Sequence, residues 1–130
     1  MKTLIVDDDN IMRRILKRAA MSLGHDVTGC TDAELTLEAL KTETFPLVIL
    51  DWMLPGMDGL ELCKRIRQMP GGNESFIIMV TAKDKHEDLL EVLDAGADDY
   101  LAKPIDIKRL KTRLVIAERI MKRMQKPRTT

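Results

Sequence analysis

The sequence predicts an α/β fold in which one doubly wound parallel sheet carries helices on both faces. Two observations predict it: short, wholly apolar runs alternate with longer amphipathic stretches, and this alternation continues along the whole chain of 130 residues. Such apolar runs are typical of strands that are buried on both faces, as in parallel sheets. Parallel neighbours are joined by right-handed crossovers, which place helices on both sides of the sheet.

Five segments are expected to form strands. Residues 27–30 are interrupted by Gly29, so this run suits an edge strand. The other four strands are continuous apolar runs: Leu4-Ile5-Val6, Leu47-Val48-Ile49-Leu50, Phe76-Ile77-Ile78-Met79-Val80 and Tyr100-Leu101-Ala102.

Five amphipathic stretches predict helices. Gly24 and Gly96 are expected to end the first and fourth helices, because glycine readily adopts the left-handed conformation at a helix C-terminus. Three helix starts carry a capping box, in which a residue with an N-cap side chain lies three positions before a carboxylate that can accept from the N-cap backbone amide. The helices lie near residues 10–23, 32–43, 59–68, 85–95 and 105–125. The capping pairs are Thr31 with Glu34, Asp58 with Glu61, and Asp84 with Glu87.

Polar side chains follow four of the five predicted strands. In an open parallel sheet, ligands bind outside the carboxyl ends of the strands, where the strand order reverses. Taken singly, an acidic triplet or a lone aspartate is explained by a turn or a helix cap. A structural need alone does not bring acids, a hydroxyl and an ammonium to one edge, so their convergence predicts a functional site. The residues are Asp7-Asp8-Asp9, Asp51, Thr81 and Lys103.

The chemistry of this set favours a metal ion and phosphate. Carboxylates brought together repel one another, so either some are protonated or a divalent cation compensates them. Mg2+ fits best, because it prefers oxygen ligands and keeps waters that a phosphate can replace. A carboxylate beside the metal can attack phosphorus and form an acyl phosphate. Such a transfer chiefly needs positioning and charge neutralisation, which an ammonium and a hydroxyl also supply.

The net charge is zero, but the charges are unevenly distributed. Residues 1–102 carry 11 Lys and Arg against 19 Asp and Glu, whereas residues 103–130 carry 10 against 2. The basic end is interpreted as a solvated helix face, so no direct nucleic-acid binding is expected. No apolar run approaches the roughly 20 residues of a membrane span, and no secretory signal is expected. Two cysteines without metal-type spacing, Cys30 and Cys63, favour reduced thiols in the cytoplasm.

Four motifs stand at the strand ends. They are Leu4-Ile5-Val6-Asp7-Asp8-Asp9, Leu47-Val48-Ile49-Leu50-Asp51 followed by Trp52-Met53-Leu54-Pro55-Gly56-Met57-Asp58-Gly59, then Val80-Thr81-Ala82, and Asp98-Asp99-Tyr100-Leu101-Ala102-Lys103-Pro104. Together they resemble the receiver domains of two-component response regulators, the CheY-like fold. The resemblance covers nearly the whole chain and implies a single (βα)5 flavodoxin-like domain, with a five-stranded parallel sheet in the order 2-1-3-4-5.

The resemblance assigns roles to the acidic residues. Asp51 matches the phosphorylated aspartate, and Asp7 with Asp8 matches the acidic pair that binds Mg2+. It implies that Asp8, Asp51 and the Met53 backbone carbonyl contact the metal directly, while Asp7 acts mainly through water. Asp9 lies beyond this pair and is predicted to cap the first helix.

The resemblance also assigns roles to residues of the last two strands. Thr81 matches the switch hydroxyl, Lys103 the phosphate-binding lysine and Tyr100 the aromatic switch position. The bond between Lys103 and Pro104 resembles the cis peptide of the family. Lys83, two positions after the switch hydroxyl, flanks the site together with Met53 and is implied to tune the phosphate lifetime.

The function implied is that of a signalling phosphoacceptor, which catalyses only its own phosphorylation and dephosphorylation. It would receive phosphate from a histidine kinase or a phosphotransfer protein and present a changed surface to an output domain or partner. Two other classes compete. A haloacid-dehalogenase-type phosphatase needs an acid two positions after its nucleophile, where this chain has Met53. A flavodoxin-type binder needs a Ser/Thr/Gly-rich loop after the first strand, where three aspartates would repel phosphate.

The chain is expected to form a receiver domain at residues 1–125, followed by a C-terminal tail or the start of a linker at residues 126–130. Whether an output domain follows is left open. The final helix carries a heptad seam. Its first half should pack on the sheet, and its second half leaves open a phosphorylation-dependent homodimer. The seam residues are Ile107, Leu110, Leu114, Ala117, Met121 and Met124.

His25 and His86 stand alone and are predicted to be surface or turn residues.

Overall fold

The structure of the protein is a computed structural model, in which residues 1–83 and 85–125 are described. The strands are β1 (Lys2–Val6), β2 (Asp26–Cys30), β3 (Leu47–Asp51), β4 (Phe76–Thr81) and β5 (Asp99–Ala102). All pairings are parallel, and the order is β2-β1-β3-β4-β5. The predicted doubly wound sheet and its strand order are therefore confirmed.

Five helices connect and follow the strands, as the amphipathic stretches predict. They are α1 (Asn10–Ser22), α2 (Ala33–Thr42), α3 (Gly59–Gln68), α4 (His86–Asp94) and α5 (Ile107–Gln125). A 3-10 turn at Gly72–Glu74 lies between α3 and β4.

The sheet separates two hydrophobic layers. Alternate side chains of each strand point to opposite faces, so successive apolar residues of β1 enter different layers. One layer contains Leu4 and packs against α2, α3 and α4. The other contains Ile5 and packs against α1 and α5. Every residue of β3 and β4 is buried, whereas most of β2 is partly or fully exposed, as expected for an edge strand.

Helix caps agree with the sequence in part. Asp9 caps α1, because its carboxylate accepts hydrogen bonds from the amides of Ile11 and Met12. Asp58 caps α3 and accepts from the Glu61 amide. Gly24 and Gly96 follow the ends of α1 and α4 with φ of 86° and 100°. The N-caps Asp9 and Asp58 and the two glycine helix ends are confirmed, whereas the Glu61 carboxylate of the predicted capping box accepts from Arg65 Nε at 3.4 Å.

The predicted start of α2 is wrong by one residue. Asp32, not Thr31, is the N-cap, and its carboxylate accepts from the Leu35 amide at 2.8 Å. A carboxylate binds a backbone amide more strongly than a hydroxyl does, so the aspartate takes this position. The Asp84 cap lies outside the described residues. In α4 the N-cap is Lys85, whose amide donates to the Asp88 carboxylate.

The heptad seam of α5 is mostly covered by the protein itself. Four of its six residues are buried in the layer shared with α1, whereas Ile107 and Met124 are 40% and 63% exposed. The helix therefore packs on the sheet beyond its first half, which corrects the predicted division. The buried residues are Leu110, Leu114, Ala117 and Met121.

Two further observations complete the fold. The peptide bond between Lys103 and Pro104 is cis, as the resemblance implies. Within residues 1–83 and 85–125, no helix is both long and apolar enough to cross a membrane.

Candidate functional site

An acidic cluster lies at the carboxyl edge of the sheet, where the strand order reverses between β1 and β3. Asp7 follows the last residue of β1, and Asp51 is the last residue of β3. Val6 pairs with Leu50, so the two acids come to adjacent strand ends. One carboxylate oxygen from each of Asp7, Asp8 and Asp51 lies within 4.8 Å of the others. The predicted acidic site is therefore assembled as a cluster.

Asp7 is fully buried, and only one of its two carboxylate oxygens accepts a hydrogen bond. Its Oδ1 accepts a hydrogen bond from the Asp9 amide at 2.9 Å, but its Oδ2 is buried with no hydrogen-bond partner. The pKa of Asp7 is raised from 3.8 to about 6, mainly by burial and also by repulsion from Asp51 and Asp8. The hydrogen bond from the Asp9 amide and the positive charge of Lys103 act in the opposite direction and lower the pKa. An unsatisfied buried carboxylate oxygen is costly, so the site is suited to a cation.

Asp51 and Lys103 form the centre of the site. Asp51 is buried, with Oδ1 accepting from the Met53 amide at 3.2 Å and Oδ2 accepting from Lys103 Nζ at 3.1 Å. The same ammonium lies 3.8 Å from Asp7 Oδ2. It remains partly exposed, and its backbone amide is anchored to the Thr81 carbonyl at 2.7 Å. One lysine thus partly neutralises two buried carboxylates.

Thr81 ends β4 beside the cluster, because Val80 pairs with Asp51 across β3 and β4. Its hydroxyl is buried and accepts from the Lys83 amide at 2.9 Å. Tyr100 lies in β5, pairs with Met79 and packs against the layer that contains Leu4. Thr81 was predicted to follow its strand directly and is the last residue of β4, whereas Tyr100 lies within the predicted last strand. Their switch roles stay predictions.

Two residues flank the opening of the site. Trp52 is buried, and the Lys83 ammonium lies 4.4 Å from the centre of its ring in a cation–π contact. Met53 is exposed, and its amide, rather than its side chain, is bound to Asp51. The Met53 carbonyl stays a predicted metal ligand.

The structure gives roles to two residues to which the sequence assigned none, Gly59 of the motif after Asp51 and Arg13. A Cβ at Gly59 would lie 2.2 Å from the Asp51 carbonyl oxygen, so the first residue of α3 must be glycine for that helix to approach the strand end. Arg13 donates a hydrogen bond from Nη1 to the Asp7 carbonyl at 2.9 Å. The Gly59 requirement follows from a close backbone approach, and the Arg13 contact spans a turn. No periodic pattern signals either one.

The donor set fits a hard divalent cation. Three carboxylates share one close ammonium, and one carboxylate oxygen is buried without a donor. Oxygen-only ligation on few protein groups is what Mg2+ prefers. A flavodoxin-like α/β domain with an acidic cluster at its topological switch point is the class that this fold and site define.

Comparison with known proteins identifies the family within that class. The family described as "Response regulator receiver domain" matches residues 3–115. The chain therefore belongs to the response regulator receiver family, and it is a receiver domain of the two-component type. Receiver domains are signalling phosphoacceptors rather than enzymes that turn over an external substrate. The phosphatase and flavin-binding alternatives are not supported by this match.

Individual relatives agree with the family assignment. The chain is 41% identical to the chemotaxis protein CheY-3 of Vibrio cholerae over 115 residues, which are 88% of both chains. It is 37% identical over 121 residues to the response regulator RppA of Synechocystis, covering 92% of this chain but 51% of RppA. The BeF3-activated receiver domain of DrrB, a Thermotoga maritima protein, superposes with a TM-score of 0.82 at 30% identity, covering 91% and 97% of the two chains.

Proposed function

We propose that Asp51 is the phosphoacceptor of this receiver domain and that a histidine kinase or phosphotransfer protein is its donor. One Asp51 carboxylate oxygen forms a bond to phosphorus, while the bond between phosphorus and the donor histidine nitrogen breaks. That nitrogen leaves with its electron pair, and the product is an acyl phosphate. The observation that carries the proposal is the buried Asp51 carboxylate, held by the Met53 amide and Lys103 beside two further acids.

The surrounding groups support this chemistry. Asp7, Asp8, Asp51 and the Met53 carbonyl would hold Mg2+, with Asp7 acting through water, and the bound ion would supply positive charge for the phosphoryl oxygens. Lys103 already contacts Asp51, so its ammonium is positioned to neutralise a transferred phosphate as well. The same residues would serve hydrolysis of the acyl phosphate, so the domain would promote both its own phosphorylation and its dephosphorylation.

A switching step follows from the added charge. Phosphorylation adds about −1.5 to −2 charges and three acceptor oxygens. We expect the Thr81 hydroxyl and the Lys103 ammonium to donate to the new oxygens. Thr81 would then give up the Lys83 amide, and its displacement would vacate space for the Tyr100 ring. The phosphoryl group would thereby favour one of two arrangements of the β4–α4 loop and the nearby surface.

Partners and boundaries are part of the same proposal. Residues 1–125 would form the receiver domain, and residues 126–130 a tail or the start of a linker. The changed surface would act on an output domain after residue 130 or on a separate partner, without direct contact between this domain and nucleic acid. A homodimer formed on phosphorylation would not use the four covered seam residues of α5. The two free cysteines are consistent with a cytoplasmic location.

The decisive test is labelling with a small phosphodonor in the presence of Mg2+. Intact-protein mass spectrometry should show one phosphoryl group on the unchanged protein and none on Asp51→Asn. Asp58→Asn is a matched control, because it makes the same change in the same loop and asparagine is an equally good N-cap. Stoichiometric labelling of Asp51→Asn, or loss of labelling in Asp58→Asn alone, would contradict the assignment.

A further inference from the structure

Arg13 connects helix α1 to the end of strand β1. Its Nη1 donates to the Asp7 carbonyl oxygen at 2.9 Å, and its Nη2 donates to Asn10 Oδ1 at 2.6 Å. The side chain is partly buried, and the next residue, Arg14, is exposed. One arginine of this adjacent pair therefore contacts the backbone of the acidic cluster.

The Asp7 carbonyl occupies a special place in the backbone. Pairing of β1 with both of its neighbours ends at Val6, although the Asp7 amide still donates to the Cys30 carbonyl at 3.1 Å. The Asp7 carbonyl is thus the first acceptor beyond the paired residues. It belongs to the planar peptide unit that joins Asp7 to Asp8, so its orientation helps to set how both side chains leave the backbone.

Strand β2 leaves room for the Arg13 side chain. A Cβ at Gly29 would lie 3.2 Å from Arg13 Cδ and 3.6 Å from Arg13 Cγ. The distance to Cδ is tighter than ordinary van der Waals contact, so the aliphatic part of Arg13 packs where the side chain of a larger residue at position 29 would press on it. Glycine inside a strand is destabilising, and it often marks the close approach of another group. Here the approaching group is the arginine that contacts the cluster.

We propose that Arg13 is a positioning residue for the cation site, holding the Asp7–Asp8 peptide so that both carboxylates face Asp51. This inference rests on the proposed function of that site. Arg13 acts through its hydrogen bond rather than as a counter-ion. The two hydrogen bonds of its guanidinium end on the Asp7 backbone carbonyl and on Asn10 Oδ1, not on a carboxylate of the cluster. Mutation of residues that orient metal ligands typically costs about 10- to 100-fold in metal affinity.

Titration calorimetry tests the proposal by measuring the Mg2+ affinity of the unphosphorylated full chain. Arg13→Met keeps an unbranched aliphatic side chain beside Gly29 but removes the donors, and we expect its Mg2+ affinity to fall about 10-fold or more. Arg14→Met is the matched control, because it removes the same charge from the adjacent exposed position. Its Mg2+ affinity should stay within about twofold of that of the unchanged protein, since Arg14 does not orient a ligand.

Phosphodonor labelling separates positioning from general damage. In Arg13→Met, the Mg2+ concentration that gives half-maximal labelling should rise, whereas the rate at saturating Mg2+ should match that of the unchanged protein. A structural defect would instead lower the saturated rate. Gly29→Ala retains the Arg13 guanidinium, but the added methyl group presses on the aliphatic part of that side chain. It should therefore weaken Mg2+ binding when Arg13 is present, and it should have no added effect on Mg2+ binding in the Arg13→Met variant. This second variant also tests the proposal if Arg13→Met does not fold.

The outcomes distinguish this inference from the proposed function. Asp8→Asn serves as the reference for loss of Mg2+ binding. Unchanged affinity in Arg13→Met, with binding intact in the unchanged protein and lost in Asp8→Asn, would overturn the role of Arg13 alone. Additive effects of Gly29→Ala and Arg13→Met would also overturn it. Failure of the unchanged protein to bind Mg2+ would overturn both the proposed function and the inference.

Discussion

The Lys103 ammonium lies 3.1 Å from Oδ2 of Asp51 and 3.8 Å from Oδ2 of Asp7, beside a cluster of three carboxylates. Replacement by Lys103→Met should therefore destabilise the metal-free protein at pH 7 by about 1–3 kcal/mol, the usual cost of an unpaired buried acceptor. Urea denaturation in a chelating buffer measures the change in unfolding free energy. The same replacement at the exposed Lys64 should change little, and equal losses in both variants would contradict the pairing.

Asp7 makes the stability of the metal-free protein depend on pH. Its pKa is about 6 in the folded protein, above its ordinary value of 3.8, so the folded state holds the proton more tightly than the unfolded chain does. The unfolding free energy should therefore fall as pH rises from about 4 to above 6. At pH 7, Asp7→Asn should be more stable than the unchanged protein by up to about 3 kcal/mol, at 1.36 kcal/mol for each pKa unit.

Denaturation curves between pH 4 and 7.5 in a chelating buffer check this prediction. The difference between Asp7→Asn and the unchanged protein should vanish near pH 4 and grow through pH 6. Added Mg2+ should stabilise the protein because it binds only the folded state. The gain should be larger for the unchanged protein than for Asp7→Asn, because the variant lacks one carboxylate of the site. A variant that is less stable at every pH would show that the ionised Asp7 carboxylate carries no cost.

The sheet and the main residues of the site could be predicted because both depend on short-range sequence patterns. Buried parallel strands are apolar throughout, and the polar residues that follow them meet at one edge. Asp51 and Lys103 are far apart in the chain, but each directly follows or ends a predicted strand. Topology alone therefore brings them together.

Contacts set by tertiary packing could not be predicted in this way. His25 was expected to be a surface or turn residue, but it is buried, with its ring hydrogen-bonded to Thr3 and Glu118. Glu118 is 93 positions away, so the contact depends on how α5 crosses the sheet. The Arg13 contact with the Asp7 carbonyl likewise depends on the turn between β1 and α1, which no periodicity describes.

Gly59→Ala should damage the site through the backbone. The added Cβ would lie 2.2 Å from the Asp51 carbonyl oxygen and 2.7 Å from Trp52 Cα, and neither backbone atom can rotate away as a flexible side chain would. We expect a loss of about 1–3 kcal/mol in stability, as for other overpacked sites, together with weaker labelling of Asp51.

Gly56→Ala is the control for that substitution. Its Cβ would meet no atom within 4 Å, although a φ of 74° strains any residue other than glycine. Both variants should therefore lose stability, but only Gly59→Ala should lose labelling under conditions in which both are folded. Full labelling of folded Gly59→Ala would show that the loop tolerates the methyl group.

Trp52 offers a spectroscopic probe, because it is the only tryptophan of the chain and lies under the Lys83 ammonium. Lys83→Met should change the intrinsic fluorescence and lower the unfolding free energy by about 0.5–1 kcal/mol, the usual strength of an exposed cation–π contact. Lys85→Met, at an exposed position two residues further on, should leave the emission unchanged. Identical spectra for Lys83→Met and the unchanged protein would argue against the contact in solution.

His25 and Glu118 should make a measurable contribution to the attachment of α5. Nδ1 of the buried ring lies 2.7 Å from the Thr3 hydroxyl, and Nε2 donates to the Glu118 carboxylate. Glu118→Leu would leave that buried N–H without an acceptor, which costs about 1–3 kcal/mol, whereas Glu118→Gln retains an amide oxygen and should cost less. Glu38→Leu is the control, because it removes only an exposed ion pair with Lys41 and such pairs are worth about 0–1 kcal/mol. Urea denaturation at one pH gives the order of stability, and a Glu118→Leu protein as stable as Glu38→Leu would show that the buried ring does not depend on Glu118.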